Sequence, residues 1–242
     1  MSKTVMVMPD LHAPDHDPDA LNAFIRALIA LQPDELVIIG DFIDCKAPAR
    51  WSKATAAEYA NTLPGELEAG QAVLERIRGV YEGVINFIPG NHEARILSYT
   101  KPFAPAIAGL VPDLPELLGF GRFGVSLVTQ PYEVARGVSA IHGKALSSVL
   151  GAAGQSAFKE RSRHGTSIVQ GHSHRLGLGW DFQERSRFWM ECGHLTSADR
   201  LGYLDFDHAN WQQGFGVLKV TGDGRVFPTI HAIDNGMSAF DA

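Results

Sequence analysis

The chain has 242 residues, 45% of them apolar, enough to bury one sizeable core, and a single α/β domain spanning residues 1–242 is expected. A formal charge of −6 excludes a general attraction to polyanions, so any nucleic-acid contact must be local. Two distant cysteines, Cys45 and Cys192, speak against a disulfide framework or a thiolate zinc site, and no window reaches the roughly 18 apolar residues of a membrane span, so a cytoplasmic setting with no membrane partner is expected.

The first element is a strand, Thr4–Met8, too short for a signal-peptide core. Asp17 then caps a helix that has Pro18 at its first position and Leu21, Phe24, Ile25, Leu28 and Ile29 at helical spacing, with Pro33 ending it. Strands Glu35–Ile39 and Val84–Ile88 follow, separated by a helix from about Gly65 to Gly79 whose Leu67, Val73, Leu74 and Ile77 face the sheet. This alternation is the signature of βαβ units around a partly parallel sheet. From about residue 101 to 124, prolines and glycines interleave with Leu114, Leu117, Leu118 and Phe120, which predicts an irregular helical insertion able to act as a lid. Strands Val138–Ile141, Thr166–Val169, Phe188–Glu191 and Gly216–Val220 come next, with a helix from about Ala152 to Arg161 between the first two. Thr221-Gly222-Asp223-Gly224 then turns the chain into Arg225–Ile230.

Polar groups collect just after the apolar runs: Asp10 and His12, Asp41 and Asp44, Asn91 and His92, His142, and His172 with His174. In open α/β sheets ligands bind outside the carboxyl ends of the strands, where these residues fall. Imidazole, carboxylate and amide donors suit Mn²⁺, Fe, Zn²⁺ or Ni²⁺ better than a thiolate-selected metal. Within Asp10-x-His12 and His172-x-His174, residues two apart on an extended backbone project to one side, so each short peptide delivers two donors.

In this order the segments Asp10-Leu11-His12, Gly40-Asp41-Phe42-Ile43-Asp44, Gly90-Asn91-His92-Glu93, His142-Gly143 and Gly171-His172-Ser173-His174 resemble the motif set of the calcineurin-like metallophosphoesterase superfamily, over residues 4 to about 175. The resemblance implies a two-layered β-sandwich flanked by helices, with the second sheet drawn from the carboxyl half. It also implies two divalent ions, Mn²⁺ foremost: Asp10, His12 and His174 hold one, Asn91, His142 and His172 hold the other, and Asp41 bridges both. The implied reaction is hydrolysis of a phosphate ester by metal-bound hydroxide, with His92 as the catalytic histidine and Asp44 as its carboxylate partner. The insertion before His142, together with Arg50-Trp51, resembles a branch met in bacteriophage and prophage genomes, which points to a phosphodiester in a nucleotide or nucleic acid. Cys45-Lys46 after Asp44 departs from the Gly-Asp-x-x-Asp-Arg-Gly run of the serine/threonine protein phosphatases. The alternatives are a phosphomonoesterase or protein phosphatase, and a non-catalytic binding module on the same scaffold; against the module, His92 and all the implied metal ligands are present.

Neighbouring residues carry open readings. Glu93 either fixes the loop through hydrogen bonds or starts a helix; Arg95 either reaches a substrate phosphate or is solvated. Arg50-Trp51 is expected at the cleft rim. His16, His164, His194, His208 and His231 match no ligand position and are expected to be solvated. Cys45 is expected to be a buried filler, and residues 210–215 a structural cap or a substrate edge.

Overall fold

The computed structural model describes residues 2–49, 52–56, 62–144, 151–184, 186–197 and 209–241. Arg50, Trp51 and His208 lie outside them.

Strand β1 (Lys3–Met8) leads into helix α1 (Pro18–Leu31), where the Asp17 carboxylate accepts the Asp19 and Ala20 N–H groups and Gln32 closes the other end in a left-handed conformation. Strand β2 (Glu35–Ile38), helix α2 (Leu63–Arg78) and strand β3 (Val84–Phe87) complete the expected alternation. Helix α2 begins two residues earlier than its apolar spacing suggests, because Thr62 caps it by accepting the Gly65 N–H. Residues 95–123 form short helical pieces: α3 (Arg95–Phe103), a 3₁₀ turn (Ala108–Leu110), α4 (Leu114–Leu117) and α5 (Phe120–Phe123). The rest is mostly strand: β4 (Val125–Leu127), β5 (Tyr132–Ala135), β6 (Val138–Ile141), then helix α6 (Gln155–His164), β7 (Ser167–Gln170), β8 (Leu176–Trp180), β9 (Phe188–Cys192), β10 (Gly214–Val220) and β11 (Val226–Ala232).

Two sheets form. The first has the order β11-β10-β1-β2-β3-β4, with β1 to β4 parallel and β10 antiparallel to both β1 and β11. The second has the order β5-β6-β7-β9-β8, with β6, β7 and β9 parallel. The carboxyl half was expected to supply the second sheet. Residues 132–192 do so, but β10 and β11 return to the first sheet and pair with β1 instead.

Strand periodicity builds the core on both faces of the first sheet. Met6, Met8, Leu36, Ile38, Ile85 and Phe87 pack under α1 and α2 with Leu21, Phe24, Leu28 and Leu74. The alternate residues Val5, Val7, Val37 and Ile39 meet Val138, Ala140, Val169, Phe188 and Met190 of the second sheet. Each such side chain, fully buried, contributes about 1.5–3 kcal/mol relative to exposure, so the register of β1 and β2 is held from both sides. The result is a two-layered sandwich with helices outside it, which fixes the carboxyl ends of β1, β2, β3, β6 and β7 as one rigid edge. No described helix is long and apolar enough to cross a membrane.

Candidate functional site

That edge carries all the expected site residues. Asp10 and His12 follow β1, Asp41 and Asp44 follow β2, Asn91 and His92 follow β3, His142 follows β6, and His172 and His174 follow β7. The backbone there is strained: His12, Asp41, Cys45, His172 and His174 take φ values of 55°, 47°, 49°, 63° and 57°, a left-handed region costly for residues with a side chain. Glycines let the loops approach one another. A Cβ on Gly90 would collide with the Asp41 carboxylate, and one on Gly171 would lie 2.6 Å from Asp10 Oδ2.

The donors gather into two adjoining clusters. In the first, His12 Nε2 lies 3.0 Å from His174 Nε2, which in turn lies 3.5 Å from Asp10 Oδ1. In the second, His142 Nε2 lies 3.0 Å from both Asn91 Oδ1 and His172 Nδ1 and 3.3 Å from Asp41 Oδ2. Their hydrogen bonds settle two tautomers. His12 Nδ1–H donates to Asp44 Oδ1 at 2.7 Å, and His142 Nδ1–H donates to the Ile39 carbonyl at 2.9 Å, so the neutral form of each ring turns an Nε2 lone pair inward. Lone pairs facing lone pairs at such distances repel unless a proton or a cation sits among them. Donors bonded at about 2.0–2.1 Å to one ion stand roughly 3.0–3.4 Å apart, so the spacings match a shared cation. Among the described residues the buried Nδ1 of His174 has no hydrogen-bond partner, a further sign that the ring is placed for something other than protein contacts.

Electrostatics agree. Burial alone would raise the Asp10 and Asp41 carboxyls, but His174 and His142 hold Asp10 low and His142 and His92 hold Asp41 well below the ordinary range. Burial would lower His142, yet Asp41 and Asp10 outweigh it and lift the ring to about 10. His172 is depressed to about 4 by burial and by the charge of His142. Three carboxylates, Asp10, Asp41 and Asp44, are at most 2% exposed, a concentration of buried negative charge that needs cationic partners.

His92 adjoins both clusters. Its backbone N–H donates to Asp41 Oδ1 at 2.8 Å, and its Nδ1 faces the Asp44 carbonyl at 2.7 Å and Asp44 Oδ1 at 3.0 Å. Burial opposes its protonation, but Asp41 and Asp44 prevail and raise its pKa. Arg95 is bound within the site rather than solvated. It donates to the Asp44 carbonyl at 2.8 Å and to His92 Nε2 at 2.7 Å, a contact that opposes the protonation Asp41 and Asp44 favour.

The open readings of neighbouring residues now divide. Glu93 is the loop fastener: its buried carboxylate accepts the N–H groups of Asp41, Phe42, Ile43 and Gly90 at 2.6–3.2 Å, tying the β2 loop to the β3 loop. Cys45 is buried as expected. The expectation of solvated histidines holds for His164 and fails for His194, which is only 3% exposed. His194 packs 5.2 Å from His174, and its Nδ1 accepts the Thr196 N–H. Its sequence neighbours carry no motif, and the packing that buries it comes from residues about twenty positions to either side. Trp211 is one of these, its ring 5.7 Å from that of His194 and 4.2 Å from that of His174. His16 and His231 are half-buried rather than solvated, His16 bridging to Thr196 and His231 stacking on Phe215. Residues 210–213 act as a cap: Gln212 accepts the Leu176 N–H and Gln213 donates to the Asp17 carboxylate. Gln130, which belongs to no motif, accepts the His142 N–H at 2.9 Å.

The comparisons with known proteins agree with this arrangement. The family model for calcineurin-like phosphoesterases matches residues 3–188. The Gene 54 protein of Mycobacterium phage L5 is 35% identical over 250 residues, covering 100% of this chain and 98% of that protein, and its counterpart in Mycobacterium phage D29 is 34% identical with the same coverage. Among solved structures, Vps29 of Cryptosporidium parvum is 15% identical, covers 98% of this chain and 94% of its own, and superposes with a TM-score of 0.53. A single mutant of Vps29 from Entamoeba histolytica is 12% identical, with coverage of 97% and 95% and a TM-score of 0.51. With its family motifs gathered on one sandwich edge, the chain belongs to the calcineurin-like phosphoesterase family.

Proposed function

We propose that the protein hydrolyses a phosphate ester using two divalent cations, one held by Asp10, His12 and His174, the other by Asn91, His142 and His172, with Asp41 serving both. The observation that carries this reading is the pair of inward-facing lone-pair clusters, spaced at 3.0–3.5 Å around buried carboxylates. When bound, such ions neutralise charge on the phosphate oxygens and activate water at neutral pH. The protein's own groups do the rest. Asp44 accepts from the Nδ1 of both His12 and His92 and so aims both rings. His92, protonated once Arg95 turns from Nε2, donates its proton to the leaving oxygen. The freed Arg95 fork then has a phosphate oxygen as its natural acceptor. Asn91, exposed at the mouth of the site, marks the side from which substrate enters.

The substrate in this reading is a phosphodiester in a nucleotide or nucleic acid. The phage relatives favour it, as does the Cys45-Lys46 departure from the protein phosphatase pattern. The test is hydrolysis of bis-p-nitrophenyl and mono-p-nitrophenyl phosphate with Mn²⁺, with and without chelator. Chelator-sensitive cleavage, faster on the diester, is expected. Faster cleavage of the monoester overturns the substrate class alone, whereas activity that ignores chelator, or none with any divalent metal, overturns the proposal in favour of a binding module.

A further inference from the structure

A histidine that holds a metal through one ring nitrogen is ordinarily oriented through the other, by a hydrogen bond to a carboxylate, a carbonyl or water. His12 and His142 follow that rule, donating Nδ1–H to Asp44 and to the Ile39 carbonyl at 2.7 and 2.9 Å. His174 breaks it. Its Nε2 turns toward His12 Nε2 at 3.0 Å and Asp10 Oδ1 at 3.5 Å, while its buried Nδ1 has no hydrogen-bond partner among the described residues. Rotation about the bond to a histidine ring has broad wells, so without such a hydrogen bond the ring keeps its heading only if its neighbours leave it no other.

Two rings supply that confinement. Trp211 stands T-shaped to the His174 ring, with centroids 4.2 Å apart at 68°, and His194 lies 5.2 Å from it at 31°. They also brace each other, at 5.7 Å and 63°. Their loops are tied to the backbone of the same cluster. The Gln212 N–H donates to the His174 carbonyl at 3.0 Å and the Leu176 N–H to Gln212 Oε1 at 3.1 Å. The His194 N–H donates to the Gln212 carbonyl at 3.3 Å, and the Leu195 N–H to the Asp10 carbonyl at 2.8 Å. Gly193 permits so close an approach, since a Cβ there would lie 2.7 Å from the Gln212 carbonyl oxygen. Both loops fall beyond residue 188, where the family match ends. The second cluster is braced from elsewhere, by the Ile39 carbonyl and by Gln130, whose Oε1 accepts the His142 N–H at 2.9 Å.

We propose that Trp211 is a positioning residue for the first cation site, holding the His174 ring, together with His194, in the heading that a hydrogen bond at Nδ1 would otherwise fix. This rests on the proposed function in giving Asp10, His12 and His174 a cation of their own. The consequence is asymmetric: loosening the clamp on His174 weakens the first cation and largely spares the one at Asn91, His142 and His172.

The test is calorimetric titration of the full chain, freed of metal by chelator and dialysis, with Mn²⁺ and, separately, with Zn²⁺. The wild type should bind two ions, and His174→Ala and His142→Ala identify which ion belongs to which cluster. Trp211→Ala should weaken the ion that His174→Ala removes by about tenfold or more, the size of losing a ligand's orienting partner, with far less change in the other. Trp211→Phe keeps a ring against His174 and should restore most of the loss, whereas Trp211→Leu, which fills space without a ring, should not. Thermal melts identify a Trp211→Ala protein that merely unfolds, in which case the comparison runs between Trp211→Phe and Trp211→Leu. Affinity unmoved in Trp211→Ala, equal weakening of both ions, or equal binding by Trp211→Phe and Trp211→Leu each overturns the clamp and leaves the proposed function standing. A wild type that takes up neither metal overturns the proposed function, and the clamp with it.

Discussion

Asp44 accepts from His12 Nδ1 at 2.7 Å and from His92 Nδ1 at 3.0 Å, so one carboxylate decides which face two imidazoles present to the site. Their tasks differ, and that difference is measurable. His92→Ala removes a proton donor and no metal ligand, so metal content by mass spectrometry should be unchanged while kcat falls about 10²–10⁴-fold on an ester with a poor leaving group. Asp44→Asn should do both kinds of damage. Its neutral amide oxygen accepts from both rings more weakly than the carboxylate does, so metal affinity should fall roughly 10–100-fold alongside turnover, read by metal titration. Normal metal binding in Asp44→Asn would show that His12 needs no such support. The donors themselves were legible in the sequence because each sits one to five residues beyond an apolar run that reads as a strand. His194 was not, since it lies in no motif and its burial against His174 and Trp211 comes from loops about twenty residues to either side.

At the level of elements, the loops after β2 and β3 owe their shape to Glu93, which leads into α3 and gathers four backbone N–H groups from both loops. Glu93→Ala would leave those donors buried without partners, and urea unfolding should show a loss of about 3–5 kcal/mol. A weaker clasp closes the far side: Arg26 of α1 holds the Asp241 carboxylate and donates to the Gly236 carbonyl at 2.7 Å. Hydrogen bonding from Arg26, then from Ser238, draws Asp241 down to about 2. A depressed carboxyl adds its stability above the unfolded pKa of about 4 and loses it as pH falls through about 2. NMR titration of Asp241 should therefore have its midpoint near 2, moving toward the ordinary carboxyl value in Arg26→Ala. Strands β1, β2 and β3 were legible from their β-branched runs. Strand β8 was hidden by Gly177 and Gly179, poor strand formers used because a Cβ there would meet the Ala153–Gly154 backbone or the Trp189 ring. Strands β4 and β5 are too short to show a period.

Taken whole, the molecule concentrates Asp10, Asp41 and Asp44, all buried, on one edge of a sandwich with an apolar cluster between its sheets. A bound cation relieves that repulsion in the native state alone, so metal should raise stability by RT ln(1 + [L]/Kd), about 2.7 kcal/mol at a hundredfold excess over Kd. For a chain of this size that is a rise in melting temperature of roughly 5–10 °C between chelator and saturating Mn²⁺, checked by calorimetry. An identical melt in both conditions would show that the clusters take no metal. The two-layer class was readable from the order of elements and the motif set, whereas the sheet assignment of β10 was not. Local pattern marks a strand but not its partner, and here the partner is β1, about 200 residues away.

That long-range pairing also governs how the protein is made. Strand β1 leaves the ribosome about 200 residues before its partner, and its β10-facing edge stays open until residues 214–220 are synthesised. At about 5–20 residues per second that is a delay of roughly 10–40 s, during which the nascent chain exposes an apolar edge able to recruit a stray strand. Slow translation should therefore raise the demand for chaperones, and a ribosome that stalls before residue 214 should yield an aggregate rather than a soluble fragment.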